Sequence, residues 1–296
     1  MYWILVALLS PILHGGANVL DNHFSNHIFK QVWSLIFYSS LCNTLFLPLV
    51  LLIDIPKFPP PVLLPFFFLI GFIEILYCYP YYKALQNDDT SVVSALFALG
   101  KIFVPIFAFF FIGETLGIIQ YIGFGIIVLA SVALTLNHHE RFRFNRSFIY
   151  MLICSILLAL EGVLYKYLFN QVDWSTGFVW PIIFSFLFAL CLWFFPFFRK
   201  DMRNQFTRFR HSFHLFFFEE FLTFSGSAAS TYAIALVPLT MQKSIDPIQP
   251  FFVLFYAMLL KKHFPNFFKE KTDHQSVFKK MILFGIMILG IILVVR

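Results

Sequence analysis

The chain has 296 residues, of which 60% are hydrophobic and only 12% charged, about half the charged share of a soluble domain. A soluble domain of this length cannot hide so much apolar surface in one core, and the apolar residues come in runs of about twenty, the length that crosses a bilayer. The net charge of +6 sits between those runs, which makes it a topology signal and argues against a nucleic-acid-binding face.

Ten spanning helices are predicted, over residues 2–20, 32–53, 62–82, 91–112, 118–136, 148–168, 176–198, 214–236, 240–260 and 280–295. The first lacks a basic leader and an Ala-x-Ala cleavage site, so it reads as a retained span, although His14 and Asn18 interrupt it. The longest loops, 199–213 and 261–279, are both basic. The four cysteines (Cys42, Cys78, Cys154, Cys191) each lie inside an apolar run with no CxxC or companion His spacing, so neither a disulfide nor a metal site is expected. The 44 phenylalanines read as lipid-tolerant bulk and not as a cofactor box.

Loops after odd-numbered helices carry Lys30, Lys83, Arg141, Arg143, Arg146, Arg199, Lys200, Arg203, Arg208, Arg210, Lys261, Lys262, Lys269, Lys271, Lys279 and Lys280, whereas the even loops and the termini hold little more than Lys57 and Arg296. Positive residues stay in the cytoplasm, so the odd loops are expected there and both termini outside.

An internal repeat is visible. Lys101-Ile-Phe-Val-Pro105 in segment 4 has the spacing of Asp246-Pro-Ile-Gln-Pro250 in segment 9. Gly125–Ala130 resembles Gly285–Gly290, and Tyr82–Leu85 resembles Tyr232–Leu236. The repeated unit holds five helices, an odd number, so the second copy must be inverted in the membrane. The expected fold is an all-α polytopic membrane protein of two such repeats, 1–137 and 147–296.

Charges inside the spans are unevenly distributed. A charge at the bilayer centre costs at least about 2.5–3.5 kcal/mol, so such residues face the protein interior or a wet cavity. They fall in segments 1, 3, 4, 6, 8 and 9, which are expected to surround a polar centre, with 2, 5, 7 and 10 as outer support. His14, Asn18 and Asp21 are at i, i+4 and i+7, one face of a helix, with Asp21 expected at the loop. Glu74, Tyr77 and Tyr81 share a face of segment 3; Ser94, Lys101 and Pro105 share one of segment 4. Lys101, Asp246, Glu161, Glu220, Glu74, His14 and Tyr81 are the candidate solute-binding residues. Pro105, Pro247 and Pro250 break matching segments of the two halves, where a solute site is expected.

Each charge also has a plain structural explanation. Lys101 could bridge the halves by pairing with Glu161 or Asp246. Lys243 and Asp246, at i and i+3, could satisfy each other, His14 could be a packing residue, and one of Glu219 and Glu220 should face an interhelical contact. Glu114 and Lys83 read as interfacial.

The stretch Phe109-Phe-Phe-Ile-Gly-Glu114, followed by Gln120-Tyr-Ile-Gly123 and the helix from Gly125 to Ser131, resembles the EamA-like branch of the drug/metabolite transporter superfamily, as do Gly15, Gly16 and Asn18 in segment 1. The resemblance implies two inverted five-helix repeats, alternating access around a central cavity, and metabolite export across a membrane such as a bacterial inner membrane. Two features depart from it: Lys261-Lys262 stand where the second half would carry Gly-Glu, and the charge count puts the termini outside whereas many relatives keep them in the cytoplasm.

The leading reading is a secondary transporter of a small polar or zwitterionic, amino-acid-like solute. Lys101 would take a carboxylate, while Asp246, Glu161 or Glu220 would take an amine or exchange a proton. The rivals are a broad exporter of aromatic or cationic compounds and a flippase for a charged lipid. No HExxH, Gly-x-Ser-x-Gly or paired acidic metal motif favours an enzyme. No cofactor is expected, and the oligomeric state is not legible.

Overall fold

The computed structural model describes residues 2–88, 90–136, 146–261 and 274–295. The Asn137–Glu140 stretch, Arg141, Arg143 and the basic segment 262–273, with the Lys262 comparison, lie outside them. Among the described residues all regular structure is helical.

The helices are α1 (Tyr2–His23), α2 (Val32–Thr44), α3 (Leu64–Asn87), α4 (Thr90–Gly100), α5 (Phe103–Ile112), α6 (Ile118–Leu136), α7 (Arg146–Phe169), α8 (Trp174–Phe194), α9 (Pro196–His211), α10 (Phe213–Leu236), α11 (Leu239–Lys243), α12 (Gln249–Lys261) and α13 (His274–Val295). A π-helical turn, Phe24–Ile28, extends α1, and a 3-10 stretch, Leu47–Leu52, extends α2. Among the described residues, five helical stretches are long and apolar enough to cross a membrane: Tyr2–Ile28, Val32–Leu52, Pro61–Asn87, Arg146–Phe169 and Trp174–Phe194. Shorter apolar helices cover Phe103–Ile112, Ile118–Ala133 and Met281–Val295. Their outer faces expose Leu52, Phe110, Ile118 and Leu129, each at least 70% accessible. Such exposure would be a liability in water but costs nothing in lipid.

Three expectations are corrected. Residues 199–213 are not a loop: Pro196–His211 is a helix. Its spacing of Met202, Gln205 and Phe209 (i, i+3, i+7) gives it a buried face. Asp21 is not in a loop but inside α1, 5% exposed. The break in segment 4 falls at Lys101-Ile102, between α4 and α5, so Pro105 lies in the first turn of α5, where its missing N–H has no intrahelical partner to lose. Pro247 and Pro250 likewise open the 3-10 turn Asp246–Ile248 and α12.

Lipid gives helices no hydrophobic reason to associate, so close packing and polar contacts hold them together. α1 lies along α10, α6 along α13, and α3 between α7 and α8. Glycines set the close crossings. A methyl at Gly71 of α3 would come within 2.7 Å of the Pro181 oxygen and the Ser185 nitrogen of α8. One at Gly123 of α6 would come within 2.7 Å of the Gly290 oxygen of α13. Beside that crossing, the Gln120 Nε2 donates to the Val294 oxygen at 3.0 Å.

Candidate solute-binding cavity

The cavity is built from helix breaks. α4 stops at Gly100, whose Cα packs against Ser155 of α7, and the chain turns through Lys101 before restarting at Phe103. In the other half α11 stops at Lys243, and the chain passes through Asp246 into α12. The two breaks bring opposite charges together: Lys101 Nζ lies 3.1 Å from Asp246 Oδ2, and Lys243 Nζ lies 3.1 Å from the same oxygen. Gln242 Nε2 donates to the other oxygen, Oδ1, at 3.2 Å. Ser230 of α10 accepts from both Lys243 Nζ (3.1 Å) and Gln242 Nε2 (3.2 Å). Asp246 is 7% exposed, and a buried carboxylate needs such compensation, since desolvation costs several kcal/mol. Two ammoniums against one carboxylate leave this wall with one net positive charge.

The cluster lines a cavity of about 230 Å³. Glu74 of α3 and Glu161 of α7 line it too. Glu74 Oε1 accepts the Tyr165 hydroxyl at 2.7 Å. Glu161 has no hydrogen bond among the described residues and sits in the combined field of Glu74, Lys243 and Lys101. From α1, His14 contacts Ser10 (Nδ1, 3.2 Å) and Ser227 of α10 (Nε2, 3.3 Å). Tyr81 of α3 donates to Asn18 Oδ1 at 2.9 Å and Asp21 Oδ2 at 2.7 Å, and Asn18 Nδ2 donates to Ser94 at 3.2 Å.

Lys101, Asp246, Glu161, Glu74, His14 and Tyr81 therefore share one cavity. Glu220 does not line it. Buried at 1% exposure, it points toward Ser39 and Asn43 of α2, and its neighbour Glu219 accepts the Thr223 hydroxyl at 2.8 Å. The assignment of segments 2 and 7 to the outside is also corrected. Ser39, Ser40 and Asn43 of α2 and Phe178, Ile182 and Ser185 of α8 line the cavity, because both helices pack toward α10 as well as against each other.

Sequence reasoning left out the roles of Ser230, Gln242 and Glu114. Gln242-x-x-x-Asp246 was a legible i, i+4 pair. Glu114 follows Gly113, the left-handed cap of α5 at φ 66°. Its two carboxylate oxygens accept the backbone N–H groups of Leu239 and Thr240, both at 2.7 Å, and so cap the start of α11. That partner lies 125 residues away in sequence, so the "interfacial" reading had no local signal to correct it.

No curated protein matches the chain. A solved crystal structure shares its fold at a TM-score of 0.62, with 13% identity over 99% of this chain and 96% of the other. The model of the EamA-like transporter family matches residues 1–136, the stretch that carries the Gly113-Glu114 segment. Over residues 1–136 the chain is thus similar to the EamA-like transporter family.

Proposed function

We propose that the chain is a secondary transporter of two inverted five-helix repeats. It would export a small zwitterionic or polar metabolite, of amino-acid type, from the cytoplasm of a bacterium by alternating access, in exchange for protons. The observation that carries this reading is the juxtaposition, in one small cavity, of a cationic wall, Lys101 with Lys243 around Asp246, and Glu161, which has no hydrogen bond among the described residues. A zwitterion's carboxylate would take over part of the lysines' attention from Asp246, and its amine would meet Glu161, with Glu74 beside it. A cavity of about 230 Å³ suits a solute of this size better than a bulky dye. Asp246, already saturated by three donors, becomes the holder of the lysines and no longer a first choice for the amine.

The repeat is supported by matching pairings. α1 along α10 corresponds to α7 along α3, while α6–α13 and α2–α8 each pair a helix with its own counterpart. The ends match as well. Asn26 Nδ2 (3.0 Å) and Asn22 Nδ2 (3.5 Å) donate to the Leu85 oxygen at the end of α3. Lys166 Nζ does the same for Ile234 and Val237 at the end of α10, at 3.0 and 2.8 Å. The basic odd-numbered loops would face the cytoplasm.

The test is solute flux in proteoliposomes with amino acids, amines and dyes offered in parallel. Amino-acid flux should fall by at least about tenfold in Lys101→Ala and Asp246→Ala, the equivalent of roughly one lost charge-assisted hydrogen bond. Full flux in both variants removes this site. A preference for dyes or amines favours the broad exporter.

A further inference from the structure

The helix α9 belongs to neither the cavity nor the spans. It leaves the end of α8 after Phe195 and returns to α10 at Phe213. One face is docked: Met202, Gln205 and Phe209 are buried. The Tyr38 hydroxyl of α2 donates to the Met202 oxygen at 2.8 Å and its ring stacks on Phe209 at 4.2 Å. Gln205 accepts the Lys30 N–H at 2.7 Å and donates to Ser34 at 3.0 Å. The Arg208 Nη1 reaches the Ile28 oxygen at 3.2 Å. These bonds hold α9 across the ends of α1 and α2 in a fixed orientation.

Its free flank is patterned. Arg199, Arg203, Phe206 and Arg210 follow at i, i+4, i+7 and i+11, one stripe along a helix. All four are exposed. None of the three arginines forms an ion pair among the described residues, and Arg203 lies over the Trp193 ring at 5.7 Å. Asp201 is the sole acidic residue of the helix. A row of unpaired guanidinium groups with an exposed ring, joined directly to a span rich in exposed phenylalanine (Phe194, Phe195), has the chemistry of a helix lying in an anionic headgroup layer. The opposite end of α8 lacks this character: there Asp173 holds Lys57 at 2.6 Å and raises the pKa of its ammonium, and Asp54 stands nearby.

We infer that the Arg199–Arg203–Phe206–Arg210 stripe of α9 binds the headgroups of anionic phospholipids and, through its clamp on α1 and α2, stabilises the bundle when they are present. The inference rests on α8 crossing the bilayer, and its test needs no transported solute. The purified full chain in a neutral detergent is titrated with phosphatidylglycerol or phosphatidylcholine, and its thermal midpoint is followed. Phosphatidylglycerol should raise the midpoint and phosphatidylcholine should not, and about 0.5 M salt should weaken the effect. Each Arg→Gln change should weaken apparent lipid affinity roughly fivefold, so the triple change at Arg199, Arg203 and Arg210 should abolish the specific shift. Lys57→Gln, at the other end of α8, should retain it. Equal shifts with both lipids, or a phosphatidylglycerol shift surviving in the triple variant, overturns the inference. Loss of the shift in Lys57→Gln as well would mean general charge and no site, and also overturns it.

Discussion

Asp246 accepts Lys101 and Lys243 through one oxygen and Gln242 through the other, so its removal strands two buried ammoniums. Breaking a buried ion pair from one side costs about 3–5 kcal/mol. Asp246→Asn should therefore lower the thermal midpoint sharply, while Lys101→Met added to it should cost much less than the sum of the single changes. Additive losses would mean that the pair does not act as a unit. Glu114 makes a second prediction. Glu114→Gln keeps one acceptor for the N–H groups of Leu239 and Thr240 but loses the charge, so it should destabilise by about 1–2 kcal/mol. Glu114→Ala should cost more, and denaturation in detergent measures both. Much of the cavity was legible at this scale. The i, i+4, i+7 spacing of His14, Asn18 and Asp21 put them on one face because α1 runs unbroken through them. The misread residues had partners that spacing cannot reveal: Asp21 is kept inside by the π turn that prolongs α1, Glu220 faces α2, and Glu114 reaches into the other half.

Among elements, the helices pack by what they omit. Gly123 and Gly290 let α6 and α13 approach until a methyl on either would strike the other backbone, whereas Gly125, two residues on, faces open space. Gly123→Ala should cost about 1–3 kcal/mol as an overpacked contact. Gly125→Ala should be neutral or stabilise by up to about 1 kcal/mol, the helix-propensity gain. Equal effects at the two sites would contradict the crossing. Hydropathy located the apolar helices well, since lipid selects them by length and composition. It could not find α9, whose helical period is amphipathic and whose residues are mostly polar, nor the exact breaks. A proline marks a freed backbone group but not whether the helix kinks through it or restarts before it. Here both halves restart, and the restarts put Lys101 and Asp246 at the same place.

At the scale of the molecule, the cavity is bounded by side chains of both sequence halves, so any opening toward one face must part α4 and α5 from α7 or α1 from α12. The ion cluster ties α4's end to α11's. A solute that loosens Asp246 from the lysines changes the contact on which such a movement turns, which is how binding could bias the two states. Cys78 of α3 lines the cavity and reports on it directly. In a chain with Cys42, Cys154 and Cys191 replaced by alanine, a membrane-impermeant thiol reagent is applied from either side of sealed proteoliposomes, with and without transported amino acid. Cys78 should be labelled from both faces, and more slowly when solute is bound. Labelling from one face alone, or an unchanged rate with saturating solute, would contradict alternating access around this cavity.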